Sequence, residues 1–193
     1  MAFSCFTSKA TGTENKMVKA VFIDRDGTLN KMVQRGEEFF PPWTVDEFEF
    51  CDDAQNAISN INKLGFWSVL VTNQPDVDEG KTTEGVLDYI NQKMLNIGIN
   101  YIKNARTRGA YDYKPNTGMI DDVVNQLSID RNKSFMIGDS WKDVLCGLRS
   151  GLTTIYIGIE FICPDKYKVI YPHHMVSNVF EASLLIKELT QYD

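Results

Sequence analysis

Two aspartates, Asp24 and Asp26, directly follow a short apolar segment, residues 18–23, and are the side chains of this sequence best suited to catalysis. In extended backbone, side chains two positions apart point the same way, so both carboxylates would face one site. One could attack phosphorus as a nucleophile while the other donates a proton to the leaving oxygen. Gly27 permits a sharp turn immediately afterwards. Because D-x-D-G also occurs in surface turns and calcium-binding loops, the pair alone leaves both interpretations open.

A second pair of carboxylates, Asp139 and Asp143, follows another apolar segment, residues 134–137. A carboxylate nucleophile and a phosphate dianion repel each other by about 4 kcal/mol per pair of unit charges at about 4 Å, at an effective dielectric constant of 20. A divalent cation between them would turn this repulsion into attraction, and oxygen-only ligands favour magnesium over zinc. Alternatively, Asp139 caps a helix and Asp143 complements its dipole, roles that are compatible with metal binding.

Polar groups that could hold a phosphoryl group follow a third apolar segment, residues 66–71. Thr72 and Asn73 stand at its end, and Gln74 comes next. Their hydroxyl, amide and backbone N–H groups could donate to phosphoryl oxygens, and Lys114 could supply a positive charge. Arg35 is a further candidate for substrate contact. A single lysine is usually only solvated, but these groups taken together with the aspartates, in chain order, favour phosphoryl transfer.

The elements that must position these residues alternate between strand and helix. Continuous apolar runs bounded by Gly, Asp or Asn predict strands buried on both faces, at residues 18–23, 66–71, 134–137 and 153–157, with a weaker one at 99–102. Apolar residues at three-to-four spacing predict helices over residues 54–64, 86–97, 119–127, 144–148 and 179–189. This alternation predicts an α/β fold, a doubly wound parallel sheet with helices on both faces. In such sheets, working residues lie beyond the carboxyl ends of the strands.

The composition limits the class of protein and its partners. The 193 residues suit one domain, predicted at residues 17–193 after a flexible N-terminal extension of residues 1–16. A net charge of −6 argues against nucleic acid or an anionic membrane as the main partner. No apolar run approaches the roughly 20 residues of a membrane span. The four cysteines form no CxxC pair, which indicates reduced thiols and a cytoplasmic location. A monomer or weak homo-oligomer is expected.

Four motifs in order, FIDRDGTLN, LVTNQPDV, YKP and MIGDSWKD, resemble those of the haloacid dehalogenase (HAD) superfamily of phosphatases. Together with the intervening elements, the resemblance covers nearly all of residues 17–157. It implies a Rossmann-like fold and a small phosphate ester as substrate. It also implies that Asp24 is the nucleophile that forms an aspartyl-phosphate. Asp26 would act first as general acid and then as the base that activates water.

The resemblance implies roles for the remaining motif residues as well. Thr72 and Lys114 would hold the phosphoryl group, with Asn73 nearby. Asp139 would complete a Mg²⁺ site with the Asp24 carboxylate and the Asp26 carbonyl, and Asp143 would support that site. The metal ligands implied are therefore Asp24, Asp26, Asp139 and Asp143.

Within the superfamily, the sequences of the motifs are most similar to those of the heptose-bisphosphate and histidinol-phosphate phosphatases. The intervals from Asp24 to Thr72 and from Thr72 to Lys114 are too short for a large cap domain. The loop at residues 103–113 lacks the Cys/His cluster of that branch, so no structural zinc is expected. Tyr113 stands where the branch tends to have an arginine. A second phosphate of the substrate would then need Arg106 or Arg108.

Three functions remain in competition. The first is hydrolysis of a small phosphomonoester, such as a heptose bisphosphate or, alternatively, a histidinol-phosphate-type substrate. The second is a phospho-accepting signalling module, since receiver domains also combine a doubly wound sheet with clustered aspartates, a Thr and a Lys. The third is a non-catalytic binding protein. The second carboxylate, Asp26, favours turnover, because a receiver needs no acid for a leaving group.

Overall fold

The computed structural model of the protein describes residues 17–167 and 169–191, and the predicted extension at residues 1–16 lies outside the described residues. The strands are β1 Ala20–Ile23, β2 Val33–Arg35, β3 Glu38–Phe40, β4 Trp67–Asn73, β5 Tyr101–Ala105, β6 Phe135–Gly138, β7 Thr153–Ile157 and β8 His174–Val176. The α-helices are α1 Ala54–Lys63, α2 Glu84–Asn96, α3 Gly118–Leu127, α4 Trp141–Arg149 and α5 Val179–Leu189.

Six of these strands form one parallel sheet in the order β5–β4–β1–β6–β7–β8. Strand β1 is central because all four of its residues are apolar and fully buried, so that neither face requires contact with water. The chain order reverses at β1, since its two neighbours, β4 and β6, come from separate parts of the sequence. A reversal of this kind opens a crevice at the carboxyl edge of the sheet.

Helices cover both faces of the sheet, each over its own apolar core. One core contains Val21 and Ile23 of β1 and the buried sides of α1, α2 and α5. The other contains Ala20 and Phe22 and the buried sides of α3 and α4. Successive β1 side chains therefore enter opposite cores, as strand geometry requires. The predicted doubly wound α/β fold is confirmed.

The segment between β1 and α1 contains only an antiparallel hairpin, β2–β3, and a short 3-10 helix, Val45–Glu47, within the part of the chain that the structure describes. We call residues 31–50 the flap. No large cap domain is present among the described residues. Within residues 17–167 and 169–191, no helix combines the length and the apolar character that a bilayer crossing requires.

One strand of the sheet, β8, was not predicted from the sequence. It has three half-buried or exposed residues and begins at His174, which pairs with Ile155 of β7. The preceding residue, His173, receives a 3.0 Å hydrogen bond from the backbone N–H of Thr154 at its ring Nδ1. His174 thus lies in a strand at the edge of the sheet. An edge strand of three residues is too short to give an apolar run in the sequence.

Candidate active site

A cleft of about 630 Å³ opens at the carboxyl ends of β4, β1 and β6. Asp24 follows β1 directly, and its backbone N–H still donates to the carbonyl of Ile137 in β6 at 2.9 Å. Thr72 ends the buried part of β4, and Asp139 follows β6. Three adjacent strands thus deliver polar side chains into one cleft, as the predicted sheet requires.

Three carboxylates form the centre of this cleft. Oxygens of Asp24, Asp139 and Asp143 all lie within 4.8 Å of one another. Burial, followed by the charge of Asp143, raises the pKa of Asp24 to about 7. Burial and the charge of Asp24 raise the pKa of Asp139 to about 8. Crowded like charges with oxygen-only donors are the arrangement that a hard divalent cation such as Mg²⁺ would stabilise, so these residues fit such an ion.

Two glycines allow these carboxylates to approach the backbone. A Cβ at Gly27 would lie 1.9 Å from Oδ2 of Asp139, and Gly27 has a φ of +83°. A Cβ at Gly138 would lie 2.4 Å from the side chain of Asp143. The carboxylates of Asp139 and Asp143 therefore occupy space that is free because residues 27 and 138 are glycines and have no Cβ.

Lys114, at the base of the cleft, neutralises part of this charge. Its Nζ lies 2.7 Å from Oδ1 of Asp24, 2.6 Å from Oδ1 of Asp143 and 2.7 Å from the carbonyl oxygen of Val71. The side chain is only 3% exposed. Burial alone would lower the pKa of Lys114, but Asp143 and Asp24 outweigh it and raise that pKa. The lysine is thus a permanent cation beside Asp24.

The start of α4 separates the roles of the two downstream aspartates. Ser140, and not Asp139, is the N-cap, and Asp143 completes a capping box by accepting from the Ser140 backbone N–H at 3.1 Å. The alternative interpretation of Asp139 as a helix cap is therefore wrong, and its carboxylate faces the cleft. The other oxygen of Asp143 is the one paired with Lys114, so Asp143 links the helix start to the charged cluster.

The Asp26 carboxylate lies outside the three-carboxylate group and has its own set of donors. Its Oδ1 accepts from Arg25 Nε at 3.2 Å and from Asn30 Nδ2 at 3.1 Å, and its Oδ2 accepts from Gln74 Nε2 at 2.6 Å. Asp26 also lines the cleft. The assignment of its main-chain carbonyl to a metal stays a prediction.

The three polar residues at the end of β4, Thr72, Asn73 and Gln74, differ in what they offer a ligand. Thr72 lines the cleft. The side chain of Asn73 also borders the cleft, but its amide both accepts from the Lys114 backbone N–H and donates to the Lys114 carbonyl, so it holds that loop. Gln74 is 3% exposed and does not line the cleft. Its amide bonds to Arg25, Asp26 and Thr72 instead, which leaves it unsuited to the predicted substrate contact.

Arg35 likewise does not line the cleft. Its guanidinium pairs with Glu47 at 2.6 Å and lies over the Trp43 ring at 3.8 Å from the ring centroid. Trp43 Nε1 in turn donates to Asp76 at 2.9 Å, which ties the flap to the loop after β4. The structure thus places Arg35 inside the flap and outside the cleft lining, and its role in substrate binding stays a prediction.

Sequence reasoning missed several residues around the site. Arg25 is 1% exposed and contacts Asp26. Its position between two carboxylates was the available signal. Asn30, four residues after Asp26, also contacts it. The rim of the cleft includes Phe39 of the flap and Arg108, whose Nη1 lies 3.4 Å from the Tyr113 hydroxyl.

Gly27→Ala is expected to lower kcat by at least about 100-fold, because the new methyl group would displace the Asp139 carboxylate. Gly36→Ala is the matched control, since Gly36 also has positive φ, +66°, but nothing lies within 4 Å of its added Cβ. Both variants should lose about 1–2 kcal/mol of stability from the left-handed backbone. Phosphate-release assays and thermal denaturation check this, and equal activity in the two variants would contradict it.

Comparisons with known proteins agree with this geometry. Residues 113–182 match the model of the HAD-hydrolase-like family. The chain is 31% identical over 189 residues to a D-glycero-D-manno-heptose-1,7-bisphosphate 7-phosphatase of Chlorobaculum tepidum, covering 85% of this chain and 92% of the relative. It is 32% identical over 146 residues to the D-glycero-beta-D-manno-heptose-1,7-bisphosphate 7-phosphatase of Pasteurella multocida, covering 68% and 76%.

Solved structures show the same fold. The D,D-heptose 1,7-bisphosphate phosphatase of B. bronchiseptica, crystallised with magnesium and phosphate, aligns with a TM-score of 0.73 at 21% identity over 91% of this chain and 100% of its own. The chain belongs to the haloacid dehalogenase-like hydrolase family. Within that family it is a phosphatase, as its motifs predicted.

Proposed function

We propose that the protein is a magnesium-dependent phosphomonoester hydrolase that works through an aspartyl-phosphate on Asp24. One observation supports this above all others. Oxygens of Asp24, Asp139 and Asp143 lie within 4.8 Å of one another, with the buried Lys114 ammonium against two of these carboxylates. Such a concentration of buried charge is costly for a fold and is typical of a catalytic centre.

The reaction would proceed in two displacements at phosphorus. In the first, a carboxylate oxygen of Asp24 forms a bond to phosphorus, the ester P–O bond breaks, and Asp26 gives its proton to the departing alcohol oxygen. In the second, Asp26 takes a proton from water, the water oxygen bonds to phosphorus, and the bond to Asp24 breaks. One water molecule is consumed, and an alcohol and inorganic phosphate are released. Thr72, at the cleft wall, would donate to a phosphoryl oxygen.

Magnesium would be held by Asp24 and Asp139, with Asp143 behind them. When bound, it would neutralise the repulsion between the carboxylates and the phosphate dianion. Three features of the chain support this: oxygen-only donors, the close approach that Gly27 allows, and pKa values of Asp24 and Asp139 raised by burial and by the neighbouring carboxylates. These features suit a hard cation better than zinc.

We expect Mg²⁺ to stabilise the protein more at about pH 9 than at about pH 5. The folded state keeps protons on Asp24 and Asp139 up to about pH 7 and 8, whereas the unfolded chain releases them near the ordinary value of 3.8. The metal-free fold therefore binds more protons than the unfolded chain and loses stability as the pH rises between these values. Mg²⁺ competes with those protons, so its effect grows with pH. Melting temperatures with Mg²⁺ or with EDTA measure this, and an equal Mg²⁺ effect at both pH values would contradict it.

The function is tested by following phosphate release from p-nitrophenyl phosphate with and without Mg²⁺. A hydrolase releases many equivalents of phosphate per protein molecule, and EDTA stops the reaction. A phospho-accepting module would stop after about one equivalent. The Asp26 carboxylate, held in the cleft by three donors, supports turnover, because a leaving alcohol needs a proton donor there.

For the substrate, we propose a phosphorylated sugar with a second anionic group, such as a heptose bisphosphate. The names of the relatives and the volume of the cleft, about 630 Å³, support a sugar-sized molecule. Besides Lys114, three cations line the cleft: Lys81, Arg108 and Lys142. Lys81 pairs with Asp76 and Glu79, and Arg108 pairs with Glu79 through its Nε. Arg106 does not line the cleft, and its guanidinium pairs with two carboxylates, Asp78 and Glu84. Of the two arginines that could replace the one missing at Tyr113, Arg108 is therefore the better placed.

Arg108→Ala should raise KM for a sugar bisphosphate about tenfold, equivalent to about 1.4 kcal/mol of lost binding, while KM for p-nitrophenyl phosphate stays unchanged. The reason is that only the bisphosphate carries a second anion for the guanidinium. Arg106→Ala is the matched control and should change neither KM. Steady-state kinetics on both substrates measure the effect. A similar rise in KM in both arginine variants would contradict the assignment.

A further inference from the structure

Gln74 is buried outside the cleft lining and bonds to two residues that line the cleft, Asp26 and Thr72. Its Oε1 accepts from Arg25 Nη2 at 2.7 Å, and its Nε2 donates to Asp26 Oδ2 at 2.6 Å and to Thr72 Oγ1 at 2.9 Å. Gln74 is 3% exposed and Arg25 is 1% exposed. The Gln74 amide therefore makes all three of these hydrogen bonds to other side chains of the protein.

The chemistry of the neighbours determines which way this amide faces. The Arg25 guanidinium has only donors, so it must meet the amide oxygen, and an ionised Asp26 has only acceptors, so it must meet the amide nitrogen. Turning the amide over would place Oε1 against a carboxylate and an NH₂ group against a cation. Arg25 thus orients Gln74, and the two hydrogens of Nε2 are directed to Asp26 and Thr72.

Two groups of the proposed reaction are oriented by this amide. Oδ2 of Asp26 accepts from Gln74 and lies 3.1 Å from Arg25 Nη2, and Oδ1 accepts from Arg25 Nε and Asn30. The Thr72 oxygen accepts from Gln74, so its own hydrogen must point elsewhere, and Thr72 borders the cleft. The Gln74 amide therefore contacts both the proposed proton-transfer carboxylate and the proposed phosphate-binding hydroxyl.

We infer that Gln74, oriented by Arg25, is a positioning residue for Asp26 as the acid that protonates the leaving group. This rests on the proposed function and refines it, since it gives a buried residue outside the cleft a role in one step. Its loss should matter most when the leaving group needs a proton. Esters of weakly basic phenols need little help from an acid, whereas esters of more basic phenols need much more.

The test compares p-nitrophenyl phosphate, which has a weakly basic leaving group, with phenyl phosphate, which has a more basic one. Gln74→Met, close in shape but without an amide, should lower kcat/KM for phenyl phosphate about tenfold more than for p-nitrophenyl phosphate. Ser68→Ala is the matched control: Ser68 is also buried on β4, but it bonds to Gly98 and Asn100 at the far end of the strand. Ser68→Ala should lower stability without changing the ratio of kcat/KM between the two esters. In an Asp26→Asn background, Gln74→Met should not change the ratio further.

An equal loss on both esters in Gln74→Met would overturn the inference, because the residue would then serve only folding or phosphate binding. If Gln74→Met does not fold, Arg25→Lys replaces it, since an ammonium cannot reproduce the fork to Asp26 and Gln74, and the same shift in ratio is required. The proposed function fails on a different result, namely full activity in Asp24→Asn. The two failures are therefore distinguishable.

Discussion

Replacing Asp24 by asparagine is expected to reduce kcat by at least about 10⁴-fold, because a neutral amide of nearly the same shape cannot bond to phosphorus as a carboxylate does. The fold should persist and even gain stability at about pH 8 without metal. The folded-state pKa of Asp24, about 7, lies above the ordinary value, so its ionised form is disfavoured in the fold, and Asn removes that charge. Phosphate release and thermal denaturation of the purified variant measure the two effects.

Asp88→Asn provides the control for this substitution, since Asp88 is exposed on α2 and should affect neither property. Near-normal activity in Asp24→Asn would show that Asp24 is not the nucleophile. A large loss of stability in Asp24→Asn would also contradict this prediction, because it would mean that the Asp24 carboxylate stabilises the fold.

The second large effect is expected for Lys114→Met. Its Nζ is the cation within 2.7 Å of the carboxylates of Asp24 and Asp143, and both partners are largely buried. Without it, the pKa of Asp24 should rise further, so that less of the nucleophile is ionised at neutral pH. We expect kcat to fall by about 10²–10³-fold and the unfolding free energy to fall by about 3 kcal/mol, as when one member of a buried ion pair is removed.

Lys103→Met is the control for Lys114→Met, because Lys103 makes an ion pair with Asp122 at the surface. Surface pairs contribute little, so this variant should behave like the wild type. Kinetics at about pH 6 and about pH 9 add a second test. Because a raised pKa of Asp24 should limit the activity of Lys114→Met, the activity of this variant relative to the wild type should recover at about pH 9. The same fractional loss of activity at both pH values would contradict this explanation.

The sheet could be predicted from the sequence because its central strands bury both faces. Residues 20–23 and 135–138 form strands whose every residue is buried, and such continuous apolar runs are readily recognised. Strand β8 lacks this signal because it has only three residues, of which Val176 packs against the core, and it is recognised by its pairing with β7. Its position depends on the completed edge of the sheet, which no local pattern describes.

For the candidate site, the sequence predicted which residues would meet but not how their side chains are oriented. Parallel strands in a known order bring Asp24, Thr72 and Asp139 to one edge, and this follows from topology alone. The direction of Arg35 depends on Glu47 and Trp43, and that of Gln74 depends on Arg25. Such choices between polar partners follow from the packed structure and leave no periodicity in the sequence.

The most direct test of the central claim is to trap the phosphorylated aspartate. Asp26→Asn should still accept a phosphoryl group from p-nitrophenyl phosphate, whose leaving group needs little protonation, but should release it slowly because the base for water is gone. The variant is quenched in acid during turnover with Mg²⁺, and its peptides are analysed by mass spectrometry. The account predicts one phosphoryl group on Asp24. Continued hydrolysis without any phosphorylated protein, or a phosphoryl group on another residue, would contradict it.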